Sequence, residues 1–449
     1  MDPGTSTGAA AAGAGLPGIM QKKMNWKNIY APVFALLLVV CASSVRAQLT
    51  IEIIGGGATQ TPIAIAPFAG EADFPLGITG IVGADLQRSG LFKLIDAGGA
   101  RPANPQEVPY ANLRAAGAEA IVVGSMASTA PGNVNIRFFL LDAVKQTQIS
   151  AFSYNVSTQQ FRTVAHTISD VIYEALTGDK GVFSTRIAYI VKNGRKHLLQ
   201  VADADGYNPQ TIVNSDEPLL SPSWSRDGSK LAYVSFENRK PVVYVQELAT
   251  GRKQPIANFR GNNSAPTWSP DGQRLVVTLT KDGNSQLYVI NADGSNAQRI
   301  ASSSGIDTEA NFAPDASSVL FVSDRGGSPQ IYRYSFGSNT VERMTFDGTY
   351  NTSPRYSPDG KTFAFLKRDG SRFNIAVQDI ASRQVQVLTQ GGTDESPSYA
   401  PNGKMILYAS VQGGRGILAA VSSDGRVKQR LSSATGGDVR EPAWGPLGK

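Results

Sequence analysis

The sequence predicts a multidomain α/β plus all-β architecture: a small α/β amino-terminal domain followed by a six-bladed β-propeller closed by the carboxy-terminal strand. Three observations predict it. Residues 50–181 mix strand and helix periods, an aromatic residue then recurs at the head of a repeated turn motif, and the last copy stops after a single strand.

At 449 residues the chain exceeds one ordinary core. Its 46 glycines and 25 prolines favour tight turns and β structure. The amino end reads as a secretory leader. Lys22, Lys23 and Lys27 precede the apolar run APVFALLLVVCA at 31–42, and Val45 and Ala47 suit a cut between Ala47 and Gln48. The apolar run is short of the roughly 20 residues a spanning helix needs. Residues 1–20 look like a vector-derived extension or the product of an early start codon, since Met24 would begin a leader of normal length. Cys41 is the only cysteine, and a lipoprotein cut before it wants a small residue where Val40 stands. A cut after Ala47 therefore leaves a mature chain without thiol chemistry. The expected division is 1–47 leader, 48–181 α/β domain with a mobile mature amino-terminal segment, and 182–449 propeller.

Formal net charge is +6, of which residues 1–47 contribute +3 through Lys22, Lys23, Lys27 and Arg46 against Asp2. The later Lys and Arg residues form no runs, so nucleic acid is not an expected partner.

In the α/β region, β-branched and aromatic residues predict strands at 62–68, 92–96, 120–126, 134–143 and 149–156. Helical spacing appears at 76–89 and 159–176. In the second helix Phe161, Val164, Ile168, Val171, Ile172 and Leu176 share a stripe, with Arg162, Ser169 and Glu174 facing away.

Beyond Arg186 the repeat takes over. Trp224, Trp268, Phe312, Tyr356, Tyr399 and Trp444 are spaced by 44, 44, 44, 43 and 45 residues, each followed by a Ser/Ala-Pro-Asp-Gly turn or a variant except the last. Four short strands fit each interval, which is the signature of a propeller blade. The sixth copy, from Trp444, has only its first strand. TRIAYIVK, HLLQVADADG and PQTIVN at 185–214 supply the other three, so the last strand closes the ring and leaves no open edge.

The turn motif is explained by its geometry: proline presets φ, aspartate caps backbone N–H groups and glycine accepts positive φ. No copy continues into a calcium loop. The recurring aromatics read as packing between blades. His166 and His197, without cysteine, make no zinc site of the usual type, and no G-x-S-x-G nucleophile motif is present. No catalytic residue, metal ligand or cofactor is expected. The competing reading is a propeller-containing periplasmic hydrolase or peptidase, which needs a larger catalytic domain than the roughly 130 residues before the repeat.

What varies between blades is the loop before each aromatic. Those loops converge on one mouth of a propeller's channel, placing Glu217, Asn262, Ser264, Thr308, Glu309, Asn351, Glu395, Arg440 and Glu441 around a single rim. This surface suits docking of a protein loop or a small polar ligand.

An exported leader, a small α/β domain and six W/F/Y-[SA]-P-D-G blades ending in EPAW resemble the TolB family, a periplasmic component of the Tol–Pal system of Gram-negative bacteria. The stretches TRIAYIV, DADGYNPQ, SPSWSRDGSKLAYVSFE and DESPSYAPNGKMILYAS carry the resemblance, which covers the whole mature chain. It implies a non-enzymatic monomer in the periplasm, peripheral to the outer membrane. Its partners would be the peptidoglycan-associated lipoprotein Pal at the channel mouth and TolA at the mature amino-terminal segment. The implied role is support of outer-membrane integrity and of invagination during cell division. Carried onto this chain, the Pal rim would include Asn262, Ser264, Ala265, Thr308 and Glu309, with Asn262 where the family commonly has histidine. The TolA segment would be Gln48, Leu49, Thr50, Ile51, Glu52 and Ile53.

Overall fold

Strand β1 (Ile51–Glu52) pairs antiparallel with the outermost strand of a propeller blade, Ile51 opposite Gln429 and Glu52 opposite Lys428. In this computed structural model residues 51–52, 60–431 and 436–448 are described. The expected leader, its cut after Ala47, and Gln48, Leu49, Thr50 and Ile53 lie outside the described residues.

Next come β2 (Thr61–Ile65), α1 (Thr79–Arg88), β3 (Phe92–Ile95), α2 (Tyr110–Ala115), β4 (Ala120–Ala130), β5 (Asn133–Asp142), β6 (Thr147–Ser157) and α3 (Phe161–Thr177). The sheet order is β3-β2-β4-β5-β6, with β2 parallel to both neighbours and β4 to β6 an antiparallel meander. Both faces are covered, as parallel pairing requires. On one face Val82 and Leu86 of α1 and Ile168 and Ile172 of α3 pack with Ile63, Val122 and Phe138. On the other, Leu113 of α2 packs with Ala64, Ile121 and Val123. Side chains of this size contribute about 1.5–3 kcal/mol each when fully buried.

Helix α3 starts after a capping box of Ser157 and Gln160, and stops at Gly178, whose φ of 79° a residue with a Cβ would adopt only with strain. One expectation is overturned on it: Ser169 does not face away but is fully buried, donating to Asp85 at 2.7 Å. The apolar period mistook a buried polar position for an exposed one.

Six four-stranded antiparallel blades follow. Blade 1 comprises Leu219–Trp224, Lys230–Ser235, Val242–Glu247 and Lys253–Ala257. Blades 2 to 5 occupy 263–300, 307–343, 351–387 and 395–431. Blade 6 joins Asp438–Trp444 to Arg186–Asn193, Lys196–Asp203 and Gln210–Ser215, with Asp438 opposite Lys192 and Trp444 opposite Ile187. The expected closure is thus formed. Neighbouring blades share cores, as where Val234 and Val243 of blade 1 pack with Leu275, Val277 and Tyr288 of blade 2.

The Pro-Asp-Gly turns behave as their residues dictate. Asp227 accepts from Ser225 Oγ at 2.6 Å and Ser229 Oγ at 2.7 Å, and these hydroxyls hold the carboxyl down at about 2. Gly228, Gly272, Gly360 and Gly403 all have φ between 68° and 74°, while in blade 3 Ala316 takes the same place at 60°. These carboxylates already cap their own turns.

The α/β layer packs on the side of the propeller that carries these turns. Asn402, in the blade 5 turn, donates to Lys180 O at 2.8 Å, and Lys404 pairs with Asp179 at 2.9 Å. Each innermost strand runs toward its turn, so its start lies on the side facing away from the α/β layer.

Candidate functional site

Every innermost strand carries the same irregularity. Its register with the second strand breaks between Leu220 and Ser223, Ser264 and Thr267, Thr308 and Asn311, Thr352 and Arg355, Glu395 and Ser398, and Arg440 and Ala443. The bulged residues Ser221, Ala265, Glu309, Ser353, Ser396 and Glu441 all have φ between 47° and 54°. Such bulges re-aim side chains, and here one residue per blade is turned onto the channel wall. Together they line a cavity of about 410 Å³ that also reaches Trp224, Trp268, Arg355, Glu395 and Trp444.

Two bulge carboxylates bridge to the next blade's bulge. Glu309 Oε2 accepts from Ser353 N at 2.8 Å and Ser353 Oγ at 3.0 Å, and Glu441 Oε2 accepts from Ser221 N. Three glutamates therefore share the cavity with one guanidinium. Burial pushes Glu441 up to about 7, and Glu395 and Glu309 add to this, against the Ser221 N–H and Arg355. Burial also raises Glu395, with Arg440 opposing, and lowers Arg355, with Glu309 and Glu441 opposing. The well is polar, partly desolvated and short of positive charge.

This has a stability consequence. Glu441 titrates near 7 when folded and near its ordinary 4.5 when unfolded, so between these values the folded chain keeps a proton that the unfolded chain releases. Stability contributed by this group is present at low pH and lost as pH rises through about 7. Glu441→Gln, which keeps an acceptor for Ser221 N, is expected to stabilise the protein by ~2 kcal/mol at pH 8 and by nothing at pH 4, with channel water trimming the roughly 3 kcal/mol a full shift implies. Parallel urea titrations of the two proteins at the two pH values check it. A pH-independent difference between them sinks the assignment.

The predicted rim residues are placed as follows. Ala265, Glu309, Glu395 and Glu441 line the cavity, and Ser264, Thr308 and Arg440 stand immediately before bulged residues. Arg440 is exposed and 4.0 Å from Glu395. Asn262 and Glu217 are exposed in the loops leading in. Asn351 departs from the expectation: its side chain is fully buried and donates to Gln330 Oε1 at 2.8 Å and Asp347 O at 2.9 Å. Its role is to hold the loop to the blade. Ser221, Ser353, Ser396 and Arg355 join the cavity without having been anticipated. Positive φ in Ser, Ala and Glu leaves no composition signal, although the bulges keep the 44-residue period.

A second polar cluster, at the boundary of α/β layer and propeller, was also missed. Asp85, fully buried, accepts from His166 Nδ1 at 2.7 Å, from Ser169 Oγ and from Arg88. Arg162 donates to Asp203 at 3.0 Å and Asp205 at 2.6 Å, both in a hairpin turn of blade 6, and lies 3.9 Å over the Tyr207 ring. His166, Asp203 and Asp205 are close enough to share a cation, but Arg162 already occupies the space between them, with Nη2 3.1 Å from His166 Nε2.

Residues 173–448 match the TolB beta propeller domain, and residues 49–149 match the TolB amino-terminal domain. The chain belongs to the TolB family. Its relatives include the Tol-Pal system protein TolB of Nitrosospira multiformis, 62% identical over 93% of this chain and 96% of that protein. That of Thiobacillus denitrificans is 65% identical over 92% and 98%. The crystal structure of TolB from Acinetobacter baumannii is similar with a TM-score of 0.81, at 42% identity, over 89% of this chain and all of that one. The TolB resemblance read from the repeats and turns is borne out, and so is the fold class. The family is one of Tol–Pal system proteins and not of enzymes.

Proposed function

We propose that this TolB-family chain is a periplasmic, non-catalytic interaction component of the Tol–Pal system that binds Pal at the channel mouth and TolA through residues 48–53. In this role it supports outer-membrane integrity and invagination during cell division. The observation that carries the reading is the ring of six bulged residues around a polar well. One fixed backbone offers a different side chain from each blade, which suits recognition of a protein loop better than acid–base chemistry on a bound substrate. The bridged glutamates hold two sides of the well rigid, so little ordering entropy is lost on docking. A monomer is sufficient, because one ring presents the whole well.

The test uses purified mature protein with soluble Pal and TolA domains. Replacing Asn262, Thr308 and Arg440 together by alanine is expected to weaken Pal binding at least tenfold, about 1.4 kcal/mol, without changing TolA binding. Removing residues 48–53 is expected to abolish TolA binding and leave Pal binding in place. A folded mature protein that binds neither partner would refute the reading.

A further inference from the structure

The hairpins joining second to third strands lie on the same side of the ring as the loops entering the channel, further out. In four consecutive blades these hairpins are basic. Arg239 of blade 1, Arg368 and Arg372 of blade 4, Arg415 of blade 5, and Lys192 and Arg195 of blade 6 are all exposed. Among the described residues none of the six has a carboxylate within 4.0 Å. The nearby acids are mostly engaged: Asp216 with Lys196, Glu237 with Lys253, Asp347 with Lys367 and Glu395 with Arg440, leaving Asp369 and Glu217 exposed among them. In blades 2 and 3 the equivalent hairpin cations are neutralised, Lys281 by Asp282 beside it and Arg325 by Asp307 at the start of the innermost strand. Residues scattered through the sequence thus form a positive crescent around two-thirds of the mouth, facing an acidic well.

We propose that the crescent steers a protein partner whose docking surface is edged with carboxylates and fixes its rotation about the channel axis. This rests on the mouth being the docking site. The backbone repeats six-fold, so a single docked orientation of an asymmetric partner rests on side chains that differ between blades, in the well and in the crescent. Exposed rim charges act mainly on the association rate and its salt dependence. The crescent is continuous with the mouth, which favours a partner already held there over a lipid surface.

The experiment measures association and dissociation rates for the soluble domain of Pal from 20 to 500 mM salt. The variant is Arg368→Glu, Arg372→Glu and Arg415→Glu combined, all on exposed hairpin tips, with Lys281→Glu as the control in a self-neutralised hairpin. The crescent variant is expected to associate about tenfold more slowly at low salt, with a flattened salt dependence and a dissociation rate within twofold of the parent. Unchanged association and salt dependence would overturn the inference while leaving the docking site intact. Failure of the parent to bind at all counts against the docking site itself. Parent protein that sediments with anionic phosphatidylglycerol vesicles, lost in the variant with no change in association rate, would replace the protein partner by a membrane.

Discussion

A chain ending at Gly437 is expected to lose cooperative unfolding altogether and to elute as soluble aggregate. The missing strand, Asp438–Trp444, is the innermost of blade 6, and without it Arg186–Asn193 becomes an open edge. The damage spreads into both neighbouring blades. Trp224 Nε1 loses Ala443 O at 3.0 Å, Ser221 N loses Glu441, and Gly416 N loses Asp438 Oδ1 at 3.1 Å. The indole of Trp444 also holds Thr185 at 2.8 Å, at the junction with the α/β layer. Val439 is 1% exposed, so its removal opens a cavity between blades. Differential scanning calorimetry and size-exclusion chromatography against the full mature protein give the answer. A truncated chain that still melts in one sharp transition would show that the ring does not depend on this closure.

Asp85→Asn is expected to cost about 3 kcal/mol, close to what removing one member of a buried charge network typically does. The carboxylate is fully buried and receives His166, Ser169 and Arg88 at once. An amide has one acceptor oxygen and two unwanted donors, so it leaves Arg88, itself 7% exposed, with only its longer contact to Asp205 as counter-charge. Arg88 and Arg162 also reach Asp205 of blade 6, at 3.3 and 2.6 Å, so the loss is predicted to loosen the α/β layer from the propeller as well as to destabilise it. Urea unfolding reads the first effect. Faster exchange of amides in 203–207 than in blades 3 and 4 reads the second. A loss below 1 kcal/mol with uniform exchange would mean the cluster carries little energy.

Much of the propeller was legible because its period is written in residues with strong local geometry. Proline, aspartate and glycine recur where a tight turn must form, and one aromatic per copy fixes the count. The closing strand was legible because a lone first strand at one end matched three orphans at the other. The channel site was legible only in outline. Variable loops pointed to the mouth that carries the polar well, but Asn351 was misplaced because a buried asparagine that caps a loop looks, in sequence, like an exposed one. Ser221, Ser353 and Ser396 were invisible because positive φ here is imposed by the bulge and not by glycine or asparagine. The Asp85 cluster escaped for a different reason: Asp85, His166 and Asp205 belong to three separate elements, and only tertiary packing brings them together.

The pairing of Asp438 with Lys192 joins positions 246 residues apart, whereas within blades 1 to 5 each strand pairs with its neighbours along the chain, β1 adding only to the outer edge of blade 5. Long-range pairing of this kind forms late, since its loop-closure entropy is not offset until the intervening blades are in place. During synthesis at ~5–20 residues per second the first propeller strands wait on the order of 12 to 50 seconds for their partner. Blade 6 is therefore the step at which the whole molecule becomes folded, and its three early strands spend that interval as the most aggregation-prone surface the chain exposes.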